Sequence, residues 1–131
     1  MARTRLLIAC LALVTPFVPA TTVSAALPPA TGLVLSVRSE MGALSTPSTT
    51  KLRCEPAGGL HKNAKEACAA LTPVDGDFTK IEPAADVACT MELNMTKATL
   101  KGKWRGNNVS FEQVYSNPCV MRVHTGKVFD F

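Results

Sequence analysis

Four cysteines, Cys54, Cys68, Cys89 and Cys119, constrain this chain more than any other feature. A fifth, Cys10, lies in an amino-terminal stretch with the three parts of a secretory signal. Arg3 and Arg5 give a basic start, residues 6–18 form an apolar run interrupted at Thr15 and Pro16, and Val23-Ser24-Ala25 supplies the small-residue end. Cleavage is expected after Ala25, dividing the chain into a signal at 1–25 and a single secreted domain at 26–131. The apolar run is too short to span a bilayer. Leu7-Ile8-Ala9-Cys10 also spells a lipoprotein box, but too few apolar residues precede Cys10 for the roughly 7–15 that a signal needs. An exported chain with an even cysteine count implies two disulfides. Three pairings satisfy that count, and the residues themselves do not choose among them. The gaps of 13, 20 and 29 residues contain no C-x₂-C element, and there are only two histidines. This is poor material for a zinc site, and no metal or cofactor is expected.

Removing 25 of 131 residues leaves 106, and takes Arg3 and Arg5 with it. The formal charge falls from +4 to +2, so part of the basic balance belongs to the signal. The remaining cations Lys97, Lys101, Lys103 and Arg105 alternate with other residues. They read as a solvated strand face before they read as a phosphate-binding patch, and no nucleic-acid partner is expected.

Leu33, Leu35 and Val37 alternate with Val34, Ser36 and Arg38, the period of a strand with one apolar face. Residues 49–54 alternate again and are expected to pair with it. Residues 55–62, with Pro56, Gly58 and Gly59, read as loop. Asn63 and Glu66 have capping-box spacing, followed by Ala64, Ala67, Cys68 and Leu71 on one helical stripe. That helix must stop near Pro73. Residues 75–81 have room for a short helical turn. The clearest hairpin covers 97–116, turning at Arg105-Gly106-Asn107-Asn108. Ser116-Asn117-Pro118 is expected to turn the chain back, and residues 128–131 to form a last short strand. About five antiparallel strands and one good helix make a two-layer α+β domain.

The residues offer no catalytic centre. There is no G-x-S-x-G, nothing places His61 or His124 beside a serine and an acid, and the cysteines are expected to be oxidised. Asn94-Met95-Thr96 and Asn108-Val109-Ser110 match a glycosylation pattern that is common by chance. Attention falls instead on Cys89-Thr90-Met91-Glu92-Leu93-Asn94. A disulfide at Cys89 would tether one side of an exposed bond, Thr90 is β-branched, and no glycine occurs from residue 78 to 100. A hydrogen bond from Thr90 to Glu92 across Met91 would stiffen it further. An extended segment of this kind can pair with a serine protease cleft, main chain to main chain, with Met91 in the primary pocket. The competing reading is an exported, disulfide-stabilised binding or structural module with no protease target.

The chain resembles the Streptomyces-type subtilisin inhibitors from about residue 32 to 131. The resemblance rests on Leu33-Val34-Leu35-Ser36-Val37, Cys54-Glu55-Pro56, Gly59-Leu60-His61, Ala67-Cys68 and Asp86-Val87-Ala88-Cys89. It is densest in Trp104-Arg105-Gly106-Asn107-Asn108-Val109-Ser110-Phe111-Glu112-Gln113-Val114-Tyr115-Ser116-Asn117-Pro118-Cys119, and Val128-Phe129-Asp130-Phe131 also fits. It implies a secreted inhibitor of subtilisin-like serine proteases, usually a homodimer, with a five-stranded antiparallel sheet and two helices. It implies the pairings Cys54–Cys68 and Cys89–Cys119, a reactive bond from Met91 to Glu92, and a dimer-interface position for Trp104. The loop departs from the best-known pattern at Thr90, Glu92 and Leu93-Asn94-Met95. Methionine suits the apolar pocket of subtilisin-like or chymotrypsin-like enzymes and leaves a trypsin-like pocket carboxylate unpaired.

Overall fold

The computed structural model describes residue 27, residues 30–42 and residues 45–131. The expected signal and its cleavage point lie outside the described residues. Five strands form one antiparallel sheet: β1 (Thr31–Ser39), β2 (Ser48–Cys54), β3 (Gly58–Gly59), β4 (Thr96–Trp104) and β5 (Asn107–Tyr115), in the order β3-β2-β1-β4-β5. Helix α1 (Ala64–Leu71) lies against β2 and β3, and helix α2 (Pro118–Thr125) against β4 and β5. A 3₁₀ turn at Phe78–Lys80 fills the place expected for a short helical turn.

The core follows from alternation. Leu33 and Leu35 of β1, Leu52 and Cys54 of β2, and Ala98, Leu100 and Trp104 of β4 are buried on one face. Ala67, Cys68 and Leu71 of α1 close over them. Each fully buried leucine stabilises the fold by roughly 1.5–3 kcal/mol relative to exposure. Phe78 and Phe129 continue the same core, with Phe111 packed against them; ring centroids of the Phe78–Phe111 pair are 4.3 Å apart. The β4–β5 hairpin turns on only two residues, Arg105 (φ 46°) and Gly106 (φ 85°). Positive φ at both positions is the type I′ geometry that matches strand twist. Asn107 and Asn108, expected in the turn, already belong to β5.

Three expectations need correction. The fifth strand is Gly58–Gly59, read above as loop, and not residues 128–131. Gly59 runs so close to β2 that a Cβ would sit 2.3 Å from the Lys51 carbonyl oxygen. Residues 128–131 form no strand: a turn over 126–129 plugs the core with Val128 and Phe129. They do tie down the terminus, through side chains. The His61 Nε2–H donates to the Val128 carbonyl at 2.8 Å, while Nδ1 accepts from the Asn63 amide at 3.0 Å. Asn63 occupies the helix N-cap position without capping; its Nδ2 donates to the Asp130 carbonyl at 2.7 Å instead. A part-buried carbonyl there needs a donor more than the exposed first turn of α1 does. Finally, Pro118 starts α2 where a turn was expected, with Asn117 as its N-cap: Val120 N–H donates to Asn117 Oδ1 at 2.9 Å.

Both disulfides pair as the resemblance implies. Cys54–Cys68 joins β2 to α1, and Cys89–Cys119 joins residue 89 to the first turn of α2. Each contributes roughly 2–4 kcal/mol. Trp104 is a core residue within the single chain, 1% exposed. Its Nε1–H donates to Asp75 Oδ1 at 2.9 Å, Gly76 lies on the ring, and the Arg105 guanidinium sits 5.7 Å from its centroid. The ring itself has almost no area to offer a second copy.

Candidate functional site

Residues 82–95 connect the 3₁₀ turn to β4 without helix or strand of their own. Met91, at the crest, is 99% exposed. Val87, Leu93 and Met95 are also substantially exposed. A methionine held wholly in water forgoes the roughly 1.5–3 kcal/mol that burial would contribute. Exposed apolar residues grouped in this way mark a surface that another molecule covers.

The backbone under this exposed crest is held at several points. The Ala84 N–H donates to the Val123 carbonyl of α2 at 2.8 Å, and Cys89 is bonded to Cys119. Asn117, itself 5% exposed, lies directly beneath the crest. Its Nδ2 donates to the Thr90 carbonyl at 3.1 Å and to the Glu92 carbonyl at 2.9 Å. One amide group therefore holds the Thr90–Met91 and Glu92–Leu93 peptide units, which bracket the Met91–Glu92 bond. Past the crest, the Asn94 N–H donates to the Ser116 carbonyl at 2.8 Å, and the Glu40 N–H to the Met95 carbonyl at 2.7 Å. Thr96 Oγ1 donates to the Asn94 carbonyl at 2.8 Å, and Ser39 Oγ to Asn94 Oδ1 at 3.4 Å.

Asn117 satisfies three groups with one side chain. Its oxygen caps α2 and its nitrogen holds the loop. It is the residue that sequence reasoning missed. Asn followed by Pro is the pattern of an N-cap and first helical residue, so the helix start was within reach. The two loop carbonyls lie 25 and 27 residues away, with no local trace. The expected Thr90 to Glu92 side-chain bond is not among the hydrogen bonds of these described residues; stiffness comes from Asn117 below.

Cys89, Thr90, Met91, Glu92, Leu93 and Asn94 thus share one projecting, tethered segment, with Cys119 at its base. Cys54–Cys68 and Trp104 lie elsewhere, on the sheet. An exposed, tethered segment of this kind does not enclose a ligand; it offers a surface for another molecule to cover.

The profile of the subtilisin inhibitor-like family matches residues 29–117. The protease inhibitor SIL-V5 of Streptomyces luteoverticillatus is 44% identical over 82 residues, 61% of this chain and 76% of its own length. Subtilisin inhibitor-like protein 2 of Streptomyces rochei is 36% identical over 102 residues, 76% of this chain and 90% of its own length. A solved structure of Streptomyces caespitosus sermetstatin in complex with Bacillus licheniformis subtilisin matches with TM-score 0.64 at 28% identity, covering 76% of this chain and 97% of that one. On sequence and fold together, this chain belongs to the subtilisin inhibitor-like family.

Proposed function

We propose that the protein is a secreted inhibitor of subtilisin-like serine proteases that offers the Met91–Glu92 bond in the manner of a substrate. The observation that carries this reading is the contrast at the crest: a fully exposed Met91 between two carbonyls held by one buried Asn117. Binding a segment already fixed in its extended form avoids the ordering cost that a flexible peptide meets. Met91 fills the primary pocket, Thr90 and Cys89 pair along the unprimed side, and Glu92, Leu93 and Asn94 run along the primed side.

The same supports explain inhibition in place of turnover. If the Met91–Glu92 bond opens, the new carboxyl end stays on Cys119 through Cys89. The new amine end stays on Asn117, Ser116 and Glu40 through residues 92–95. The amine therefore remains against the acyl-enzyme, shields it from water, and re-forms the peptide bond. Each chain carries a complete loop, so this chemistry needs no second copy.

Titration of active subtilisin tests the proposal. A linear loss of activity ending near one chain per enzyme is expected; rapid digestion with no loss would refute it. Trypsin should be inhibited weakly, and Met91→Lys should shift preference toward trypsin, because lysine pairs with the carboxylate of that pocket. An unchanged preference would place the reactive bond elsewhere. Amino-terminal sequencing of exported protein, expected to start near Ala26, tests the signal at 1–25.

A further inference from the structure

Thiols and thioethers are the side chains that hydroperoxides oxidise, in step with their exposure. Among the described residues no thiol is free, because Cys54–Cys68 and Cys89–Cys119 take all four cysteines. The single tryptophan, Trp104, is buried in the core. The groups left to meet an oxidant are the thioethers, and the fold grades them steeply. Met91 is 99% exposed, Met41 54%, Met95 40% and Met121 3%.

The exposure of Met91 is built in. Asn117 holds the Thr90 and Glu92 carbonyls from below, and the disulfide holds Cys89, so the crest cannot fold its sulfur inward. Met41 follows Glu40, whose N–H donates to the Met95 carbonyl at 2.7 Å. These two methionines therefore flank the foot of the loop, away from the bond at its crest. Met121 lies in α2 with its side chain in the core.

We propose that the Met91 sulfur is a modification site, where a hydroperoxide forms the sulfoxide and switches off protease binding; this rests on Met91 being the residue that fills the primary pocket. The step is an oxygen-atom transfer. With hydrogen peroxide, a sulfur lone pair attacks one oxygen, the O–O bond breaks, and the proton of the transferred oxygen joins the departing hydroxide as water. Sulfur loses two electrons, the peroxide gains them, and no main-chain bond changes. The thioether was apolar; the sulfoxide carries a strong hydrogen-bond acceptor. A pocket lined to accept an apolar side chain has no donor for it, and burying an unpaired acceptor weakens binding by roughly fivefold to 150-fold.

The probe is hydrogen peroxide, applied to the full protein and removed with catalase before any protease is added. Peptide mass spectrometry reads the gain of one oxygen at each methionine. Met91 should react first, about twofold ahead of Met41 and Met95 and more than about tenfold ahead of Met121, as their exposures rank. The inhibition constant against subtilisin should rise roughly fivefold to 150-fold, in step with Met91 oxidation. The thermal melt of chains oxidised at Met91 alone should not move, because that sulfur supports nothing in the core. Met91→Leu, set against its own untreated value, should keep its inhibition through the same peroxide course. The double variant Met41→Leu with Met95→Leu should lose inhibition as the unsubstituted protein does. Oxidation of Met91 no faster than Met121 would overturn the site. Full inhibition by chains wholly oxidised at Met91, equal loss in Met91→Leu, or a melt that falls together with inhibition would overturn the switch. The order of oxidation is read with no protease present. Untreated protein that fails to inhibit would sink the inhibition reading and the switch with it, while that order would still decide the site.

Discussion

Replacing Asn117 by alanine should weaken protease inhibition and destabilise the fold by separable amounts. The side chain caps α2 through Oδ1 and holds the Thr90 and Glu92 carbonyls through Nδ2. Loss of a cap costs about 1 kcal/mol, and each lost hydrogen bond contributes about 0.5–1.5 kcal/mol net. Total destabilisation should be about 2–4 kcal/mol, which in a domain of this size lowers Tm by roughly 10–25 °C. The loop share, about 1–3 kcal/mol, reappears as ordering cost on binding. Inhibition should weaken by roughly fivefold to 150-fold, at about 1.4 kcal/mol for each factor of ten. Asn117→Asp separates the two roles. It keeps an acceptor for the Val120 amide but turns a carboxylate toward two carbonyl oxygens, so the cap survives and the loop support does not. Progress curves with subtilisin, beside thermal melts of both variants, make the measurement. Inhibition weakened less than twofold in Asn117→Ala, while Tm falls as expected, would refute the claim that this amide preorganises the loop.

Substituting Cys89 and Cys119 together by serine should cost roughly 2–4 kcal/mol of stability. It should also release the carboxyl side of the cleaved bond, so that mass spectrometry finds chains cut after Met91 accumulating with subtilisin. Gly76→Ala should destabilise by about 2–4 kcal/mol, seen in a denaturant melt, through overpacking and a strained backbone. Its Cβ would fall 2.5 Å from the Trp104 ring at a φ of +75°. Acid should weaken the terminus. A hydrogen bond from Lys127 holds the Asp130 carboxyl below its ordinary value, and Arg105 does the same to Glu55. A carboxylate depressed in the folded state adds stability that is complete above its unfolded value and is lost as pH falls through the folded value. Tm should therefore fall below about pH 4, and Asp130→Asn should flatten that slope.

How much of this was readable beforehand depended on how local each cause was. The period-two alternation of β1 and the β4–β5 hairpin stand in the residues themselves, because burial of one sheet face imposes it. Leu71 and Pro73 likewise mark where α1 must stop. The two-residue β3 carries no period at all; it exists because Gly59 lets one backbone lie almost on another. Residues 128–131 look like a strand because Val128 and Phe129 are buried, but they are buried as a plug, and apolar content alone does not distinguish the two. Met91 and its tether at Cys89 were visible as a local pattern. Asn117 was not, because what it supports is distant along the chain. The resemblance gives Trp104 a dimer-interface position; what its residues do not tell locally is that Asp75 and Gly76, brought over it by the turn after α1, bury its ring within the single chain.

Nearly everything that stiffens the loop follows it in the chain: Ser116, Asn117, Cys119 and Val123 all come after residue 95. Without α2 in place and Cys119 oxidised, residues 82–95 would lack these tethers. If the proposed function holds, Met91 would then be open to cleavage without the supports that keep the cut ends together. Docking of α2, rather than synthesis of the loop, would on that reading set the moment at which the chain can meet a protease intact.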